Sequence, residues 1–72
     1  SLQNLILSDN NITDMGAIYL AKFLPLFDNL VRLDLRLNKI KDDGKNALIE
    51  AQKMTGIQHL LLDKTEGFLV NA

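Results

Sequence analysis

The 72-residue sequence predicts an α/β repeat fold in which short strands and helices alternate. The main observation is that LQNLILSDNNI, residues 2–12, aligns without a gap with LVRLDLRLNKI, residues 30–40. A third and shorter copy, IQHLLLDKT, covers residues 57–65 and follows the second copy after a slightly shorter interval. One strand and one helix per unit of this length indicate that the units stack in parallel and share one core.

Each copy contains a strand in which core-facing apolar side chains alternate with outward-facing side chains. In the second copy Leu33 and Leu35 are expected to face the core. The core positions of the other copies are Leu5, Leu7, Ile57, Leu60 and Leu62. Three parallel strands would bring the outward side chains into adjacent rows. These outward positions are Asn4, Ile6 and Ser8, then Arg32, Asp34 and Arg36, then His59, Leu61 and Asp63.

A helical spacing of small and apolar residues follows each of the first two strands. The first predicted stripe contains Ala17, Leu20, Leu24 and Phe27, and the second contains Ala47, Leu48, Ala51, Met54 and Thr55. Leu37, which comes just after the second strand, is apolar but has no expected place in the core.

The ends of both helices also carry sequence signals. Asp14 and Asp42 are predicted to be N-caps, because a short carboxylate can accept the free N–H groups of a first helical turn. Gly16 and Gly44 are expected to let each helix start lie close to the sheet. Pro25 is expected to end the first helix near Leu24, and Gly56 to end the second.

An asparagine, Asn10 or Asn38, follows each of the first two strands where a buried position is expected. At this point the chain leaves the strand, and its backbone groups would lose their ladder partners. An amide side chain carries donors and an acceptor, so both asparagines are predicted to be structural and to satisfy backbone groups in adjacent turns. In the third copy, Thr65 occupies this position.

Composition narrows the possible functions. A formal net charge of −1 gives no general attraction to nucleic acid or anionic membrane. No apolar run approaches the roughly 20 residues of a membrane-spanning helix, and no signal peptide is visible. The absence of cysteine excludes disulfides and cysteine-based zinc sites, and it is consistent with a reducing compartment.

No set of side chains with a catalytic or metal-binding spacing is found in the sequence. His59 is the only histidine, and no second ligand at a zinc-site spacing accompanies it. No glycine-rich nucleotide-binding loop is present. No enzyme activity, cofactor or metal is therefore expected. A cluster of Lys39, Lys41 and Lys45 is interpreted as an exposed edge that nearby aspartates balance.

These motifs resemble the leucine-rich repeat family, with the pattern L-x-x-L-x-L-x-x-N-x-I/L matched twice in register. The 28-residue period and the Asp-x-Gly helix start resemble its ribonuclease-inhibitor-like subfamily. The resemblance implies a right-handed βα superhelix with a three-stranded parallel sheet on the concave side and helices on the convex side. It places repeats at residues 2–29 and 30–56 and a partial repeat at residues 57–65. Residues 66–72 are expected to form a tail or makeshift cap.

The resemblance also implies a function: binding or scaffolding a protein partner through the concave sheet, without catalysis, in an intracellular and cytoplasmic setting. The predicted contact residues are Ile6, Ser8, Arg32, Asp34, Arg36, His59, Leu61 and Asp63. One alternative is an architectural piece of a longer solenoid or larger complex, since solenoids need three or more repeats with covered ends. Another is a regulatory repeat domain of the GTPase-activating or actin-capping type.

Overall fold

The computed structural model describes residues 2–63, in which three short strands alternate with two helices. The strands are β1 (Asn4–Ile6), β2 (Arg32–Asp34) and β3 (His59–Leu61), and the helices are α1 (Asp14–Phe23) and α2 (Asp42–Gln52). A 3₁₀ turn at Leu24–Leu26, which contains Pro25, follows α1 directly. The predicted order of elements is therefore confirmed. The predictions for Thr65 and for residues 66–72 lie outside the described residues.

The three strands form one parallel sheet in the order β1-β2-β3. Leu5, Leu33 and Leu60 occupy one register row across the sheet, as the repeat alignment predicts. Hydrogen bonding continues past the strand ends, because Leu7 N–H donates to the carbonyl of Asp34 at 2.8 Å. The repeats are thus joined edge to edge by backbone hydrogen bonds.

The core lies between the sheet and the two helices. Its buried members within residues 2–63 are Ala17, Leu24, Leu30, Leu33, Leu35, Ile40, Leu48 and Ile57, and five of these eight, Leu30, Leu33, Leu35, Ile40 and Ile57, occupy positions of the repeat pattern. Phe27 and Met54, which were predicted to continue the helical stripes, are exposed instead. Both follow the last turn of their helix, so the helical spacing no longer directs their side chains toward the core.

The predicted N-caps are wrong in position. Thr13 and Lys41 occupy the N-cap positions, and neither helix has a hydrogen bond from its own N-cap side chain. Asp14 instead reaches across to the next repeat. Its Oδ1 accepts hydrogen bonds from Lys41 N–H at 2.5 Å and from Gly44 N–H at 3.2 Å. The first repeat thereby supplies the carboxylate that caps α2.

Replacing Asp14 by alanine should lower the free energy of unfolding by about 1 kcal/mol, because two N–H groups at the start of α2 lose their acceptor. Asp42→Ala is the matched control, since Asp42 is the equivalent residue of the second repeat and its side chain has no hydrogen bond to residues 2–63. We expect a loss of at most about 0.5 kcal/mol for the control, from the helix dipole. Urea unfolding monitored by circular dichroism measures the free energy of unfolding of both variants. An equal decrease in Asp14→Ala and Asp42→Ala would contradict the conclusion that Asp14 caps the helix of the next repeat.

The two helices approach closely at Gly44, although the prediction placed this contact between helix and sheet. A Cβ at Gly44 would lie 2.7 Å from Asp14 Oδ1 and 3.1 Å from Ala17 Cβ, both in α1. It would also lie 2.6 Å from Ile40 Cγ2. The missing side chain therefore brings one repeat helix against the next.

Candidate interaction surface

The outward strand positions lie together in rows, as the sequence predicts. The register pairs Asn4 with Arg32 and His59, and Ile6 with Asp34 and Leu61. A third row, two residues further along each strand, contains Ser8, Arg36 and Asp63. We call these nine positions the outer sheet face. The opposite face of the strands packs against the core.

Asp34 and Arg36 form a bidentate ion pair at the centre of this face. Arg36 Nε donates to Asp34 Oδ1 at 3.0 Å, and Arg36 Nη2 donates to Oδ2 at 2.9 Å. The backbone N–H of Arg36 also donates to Oδ1, at 3.1 Å. Asp34 was predicted to be an exposed contact residue, but it is only 5% exposed. The carboxylate thus holds Arg36 in one orientation, and Arg36 remains exposed to solvent.

These hydrogen bonds change the acidity of the pair. The guanidinium and backbone N–H donors of Arg36 lower the pKa of Asp34 from 3.8 to about 2, against the opposing effect of burial. The same ion pair raises the pKa of Arg36. Both groups therefore stay charged at physiological pH, and Arg36 carries a compensated charge.

The Asp34 carboxylate should make a pH-dependent contribution to stability. Because its pKa is depressed on folding, the contribution is fully present above about pH 3.8 and is lost as the pH falls toward about 2. The difference in free energy of unfolding between wild type and Asp34→Asn should therefore be constant near neutral pH and shrink across this acidic window. Urea unfolding at several pH values measures it. A difference that does not vary with pH would show that the negative charge of Asp34 does not matter.

Exposed apolar side chains accompany the ion pair. Ile6 is 65% exposed, and Leu61 is half-buried on the other side of Asp34. Leu37 is 68% exposed and has a positive φ of 61°, in the left-handed region that branched and bulky residues rarely adopt. The prediction that Leu37 has no place in the core is confirmed. Together with Ser8, Arg36 and Asp63, Leu37 lines a shallow depression at the carboxyl ends of the strands.

The side chain of Asn38 joins two repeats. Its Oδ1 accepts hydrogen bonds from the N–H groups of Asn10 and Ile12 at 2.8 and 2.9 Å. Its Nδ2 donates to the carbonyls of Leu7 and Leu35 at 2.9 and 3.0 Å. One amide therefore satisfies backbone groups in its own turn and in the preceding one.

Asn10 differs from Asn38, although the repeat alignment treats them alike. Asn10 is exposed, and its Nδ2 donates to the carbonyl of Ser8 at 3.3 Å, within the same turn. Asn38 bonds to the turn of the preceding repeat, but residues 2–63 contain no repeat before the first one to which the Asn10 side chain could bond in the same way. The expectation of a buried position is therefore wrong for Asn10.

Lys45 was missed by the sequence reasoning, which placed it on an exposed edge. The side chain is 1% exposed, and its Nζ donates a hydrogen bond to the carbonyl of Asp63, just past the end of β3. Lys45 lies one helical turn after Lys41, on the side of α2 that also buries Gly44 and Leu48. The spacing of Lys45 from Leu48 along α2 could have indicated that Lys45 is buried, but lysine is normally an exposed residue.

Within residues 2–63, no three or more histidine, cysteine, aspartate or glutamate side chains form a group that could hold a metal ion. In the same part of the chain, neither helix combines the length and apolar character needed to cross a bilayer. His59 is exposed at the start of β3, and its side chain forms no hydrogen bond or salt bridge with other residues of the described range 2–63.

Comparison with known families agrees with this architecture. A family model described as Leucine Rich repeat matches residues 1–21 and 29–48, which together make up more than half of the 72 residues. The chain therefore belongs to the leucine-rich repeat family. Repeats of this family generally mediate protein–protein contacts and are generally non-catalytic. No curated protein and no solved structure gives a significant match to this chain.

Proposed function

We propose that this chain is a non-catalytic interaction module that binds or scaffolds a protein partner through the outer sheet face. In this proposal the repeats belong to the ribonuclease-inhibitor-like subfamily and form a right-handed solenoid whose concave side is the outer sheet face. The units are residues 2–29, 30–56 and 57–65. The 28-residue period supports this assignment, and an intracellular, cytoplasmic location rests on the subfamily resemblance alone.

The observation that carries the proposal is the exposure of Ile6 on a face with a fixed guanidinium. Ile6 is 65% exposed, and Leu61 in the same row and exposed Leu37 add further apolar area on this side of the sheet. Beside it, Arg36 is held by two hydrogen bonds from its side chain to Asp34. Exposed apolar area next to an oriented arginine is typical of the centre of a protein interface.

Ile6→Asp should abolish binding to a protein partner and lower the free energy of unfolding by at most about 1 kcal/mol, because the side chain is outside the core but the new carboxylate lies opposite Asp34. The partner is first captured from a lysate with the wild-type chain and is then purified and titrated by calorimetry. Met54→Gln is the control, since Met54 is 80% exposed and follows α2 on the helix side. Equal affinity of wild type and Ile6→Asp for the purified partner would overturn the proposed face.

A second candidate, the architectural role, is favoured by the open side of the first repeat. Leu2 is 49% exposed, whereas Leu30 at the equivalent position is 1% exposed. The same contrast holds for Leu5 and Leu33, Leu7 and Leu35, Ile12 and Ile40, and Leu20 and Leu48. In this role another structural unit covers the open side. Nothing observed in residues 2–63 adds support for the GTPase-activating or actin-capping alternatives.

A further inference from the structure

We infer that the outer sheet face recognises an extended protein segment in which three alternate residues contact the face. The residue at one end of the three is acidic and the other two are apolar, and the segment can run in either direction along the strands. This inference rests on the proposed function and names the chemistry of its partner. It follows from how charge and apolar area are distributed along the three rows of the face.

The first row provides a cation that forms no salt bridge within residues 2–63. This cation is Arg32, which is half-buried. The nearby Asp34 carboxylate is bound to Arg36 on both oxygens. A partner carboxylate at Arg32 would therefore complete an ion pair without displacing an existing one.

The middle row is apolar at its surface. Ile6 and Leu61 flank Asp34, which is buried beneath Arg36 and presents no charge to a partner. Because Arg36 already shares its charge with Asp34, an uncharged side chain is the better match for this row. The preferred occupant here is an apolar side chain packed between Ile6 and Leu61.

The last contact is at Leu37, which lines the depression beside the third row together with Ser8, Arg36 and Asp63 and has a backbone conformation unfavourable for leucine. The equivalent residue in the first repeat, Asp9, has φ 59° and is of a type that tolerates this region. A leucine at position 37 loses backbone freedom and buries little of its side chain within residues 2–63. A strained and exposed apolar residue of this kind indicates a contact site.

The spacing between these rows defines the form of the partner. Successive rows lie two residues apart along each strand, or about 6.6 Å. An extended chain repeats its side chains on one side at nearly the same interval. A segment lying along the strands can therefore place its acid at Arg32 and its apolar side chains at the Ile6–Leu61 row and at Leu37.

A random peptide library displayed on phage tests this inference with the 72-residue chain immobilised. Peptides that bind wild type are counter-selected against Ile6→Asp, so that those retained require the outer sheet face. The most enriched peptide is then synthesised and titrated by fluorescence anisotropy against Arg32→Gln and Leu37→Asn. Asn tolerates the left-handed conformation, so Leu37→Asn is expected to fold, and Met54→Gln is the control for both variants.

The expected result is an enriched pattern of one acid and two apolar residues at two-residue spacing. Its affinity should fall about tenfold in Arg32→Gln and in Leu37→Asn and be unchanged in Met54→Gln. Added salt should weaken binding to wild type but not to Arg32→Gln. Enriched peptides that need Ile6 but lack this pattern would overturn the inference and leave the proposed function standing. A library that yields no peptide dependent on Ile6 would also overturn the inference, whereas the proposed function is decided by the titration of the purified partner against wild type and Ile6→Asp.

Discussion

Replacing Asn38 by leucine should lower the free energy of unfolding by about 1–3 kcal/mol, because four backbone groups, three of them in partly buried hydrogen bonds, lose their partner. The groups affected are the N–H of Asn10 and Ile12 and the carbonyls of Leu7 and Leu35. These four groups belong to two repeats, so the loss should weaken the contact between repeats as well as one turn. Leucine has the same branched shape as asparagine but carries no donor or acceptor.

Asn10→Leu is the matched control for this prediction. It removes the same side chain from the equivalent position of the first repeat, where the amide is exposed and donates to the carbonyl of Ser8. We expect a change within about 0.5 kcal/mol, as for most surface substitutions. Chemical denaturation followed by circular dichroism compares the two variants under one condition. Similar losses at both positions would show that hydrogen bonding between repeats does not stabilise the fold.

The sequence predicted the features that depend on local pattern. The order of elements, the parallel sheet and the row of Leu5, Leu33 and Leu60 all follow from alternation and from the repeat spacing. These features need only the identity of each side chain and its direction along a strand or helix. The alternation in one copy is weak evidence for a strand, and its occurrence in three copies makes the prediction of three parallel strands stronger.

The features that sequence could not predict depend on particular side-chain contacts, two of them between repeats and one within the second repeat. Asp14 is of a residue type that is typical of N-caps and lies at the start of α1, yet its carboxylate caps α2. Asp34 has the position of an exposed strand residue, yet Arg36 covers it. Lys45 has the charge of a surface residue, yet it is buried against Asp63. In each case the partner is fixed by three-dimensional packing, and the residue type alone does not reveal it.

Gly44→Ala should lower the free energy of unfolding by about 1–2 kcal/mol, although alanine is the better helix former by about 1 kcal/mol. The new Cβ would lie 2.6 Å from Ile40 Cγ2 and 2.7 Å from Asp14 Oδ1, so α1 and α2 must move apart or the capping carboxylate must shift. Either adjustment disturbs the contact that joins the first repeat to the second. The measurement is again equilibrium unfolding in urea, with wild type and variant at the same protein concentration.

Gly16→Ala is the control, because Gly16 is the equivalent residue of α1 on the side that no other element covers within residues 2–63. A Cβ at Gly16 would meet only Ile12 Cγ2, at 3.1 Å, and the isoleucine side chain can adjust. We expect Gly16→Ala to be neutral or stabilising, since the helix propensity of alanine is then nearly unopposed. If both glycines tolerate alanine equally, the close approach of the two helices does not hold the repeats together. If only Gly44 is sensitive, the close approach of α2 to α1 at this glycine helps to hold the first two repeats together.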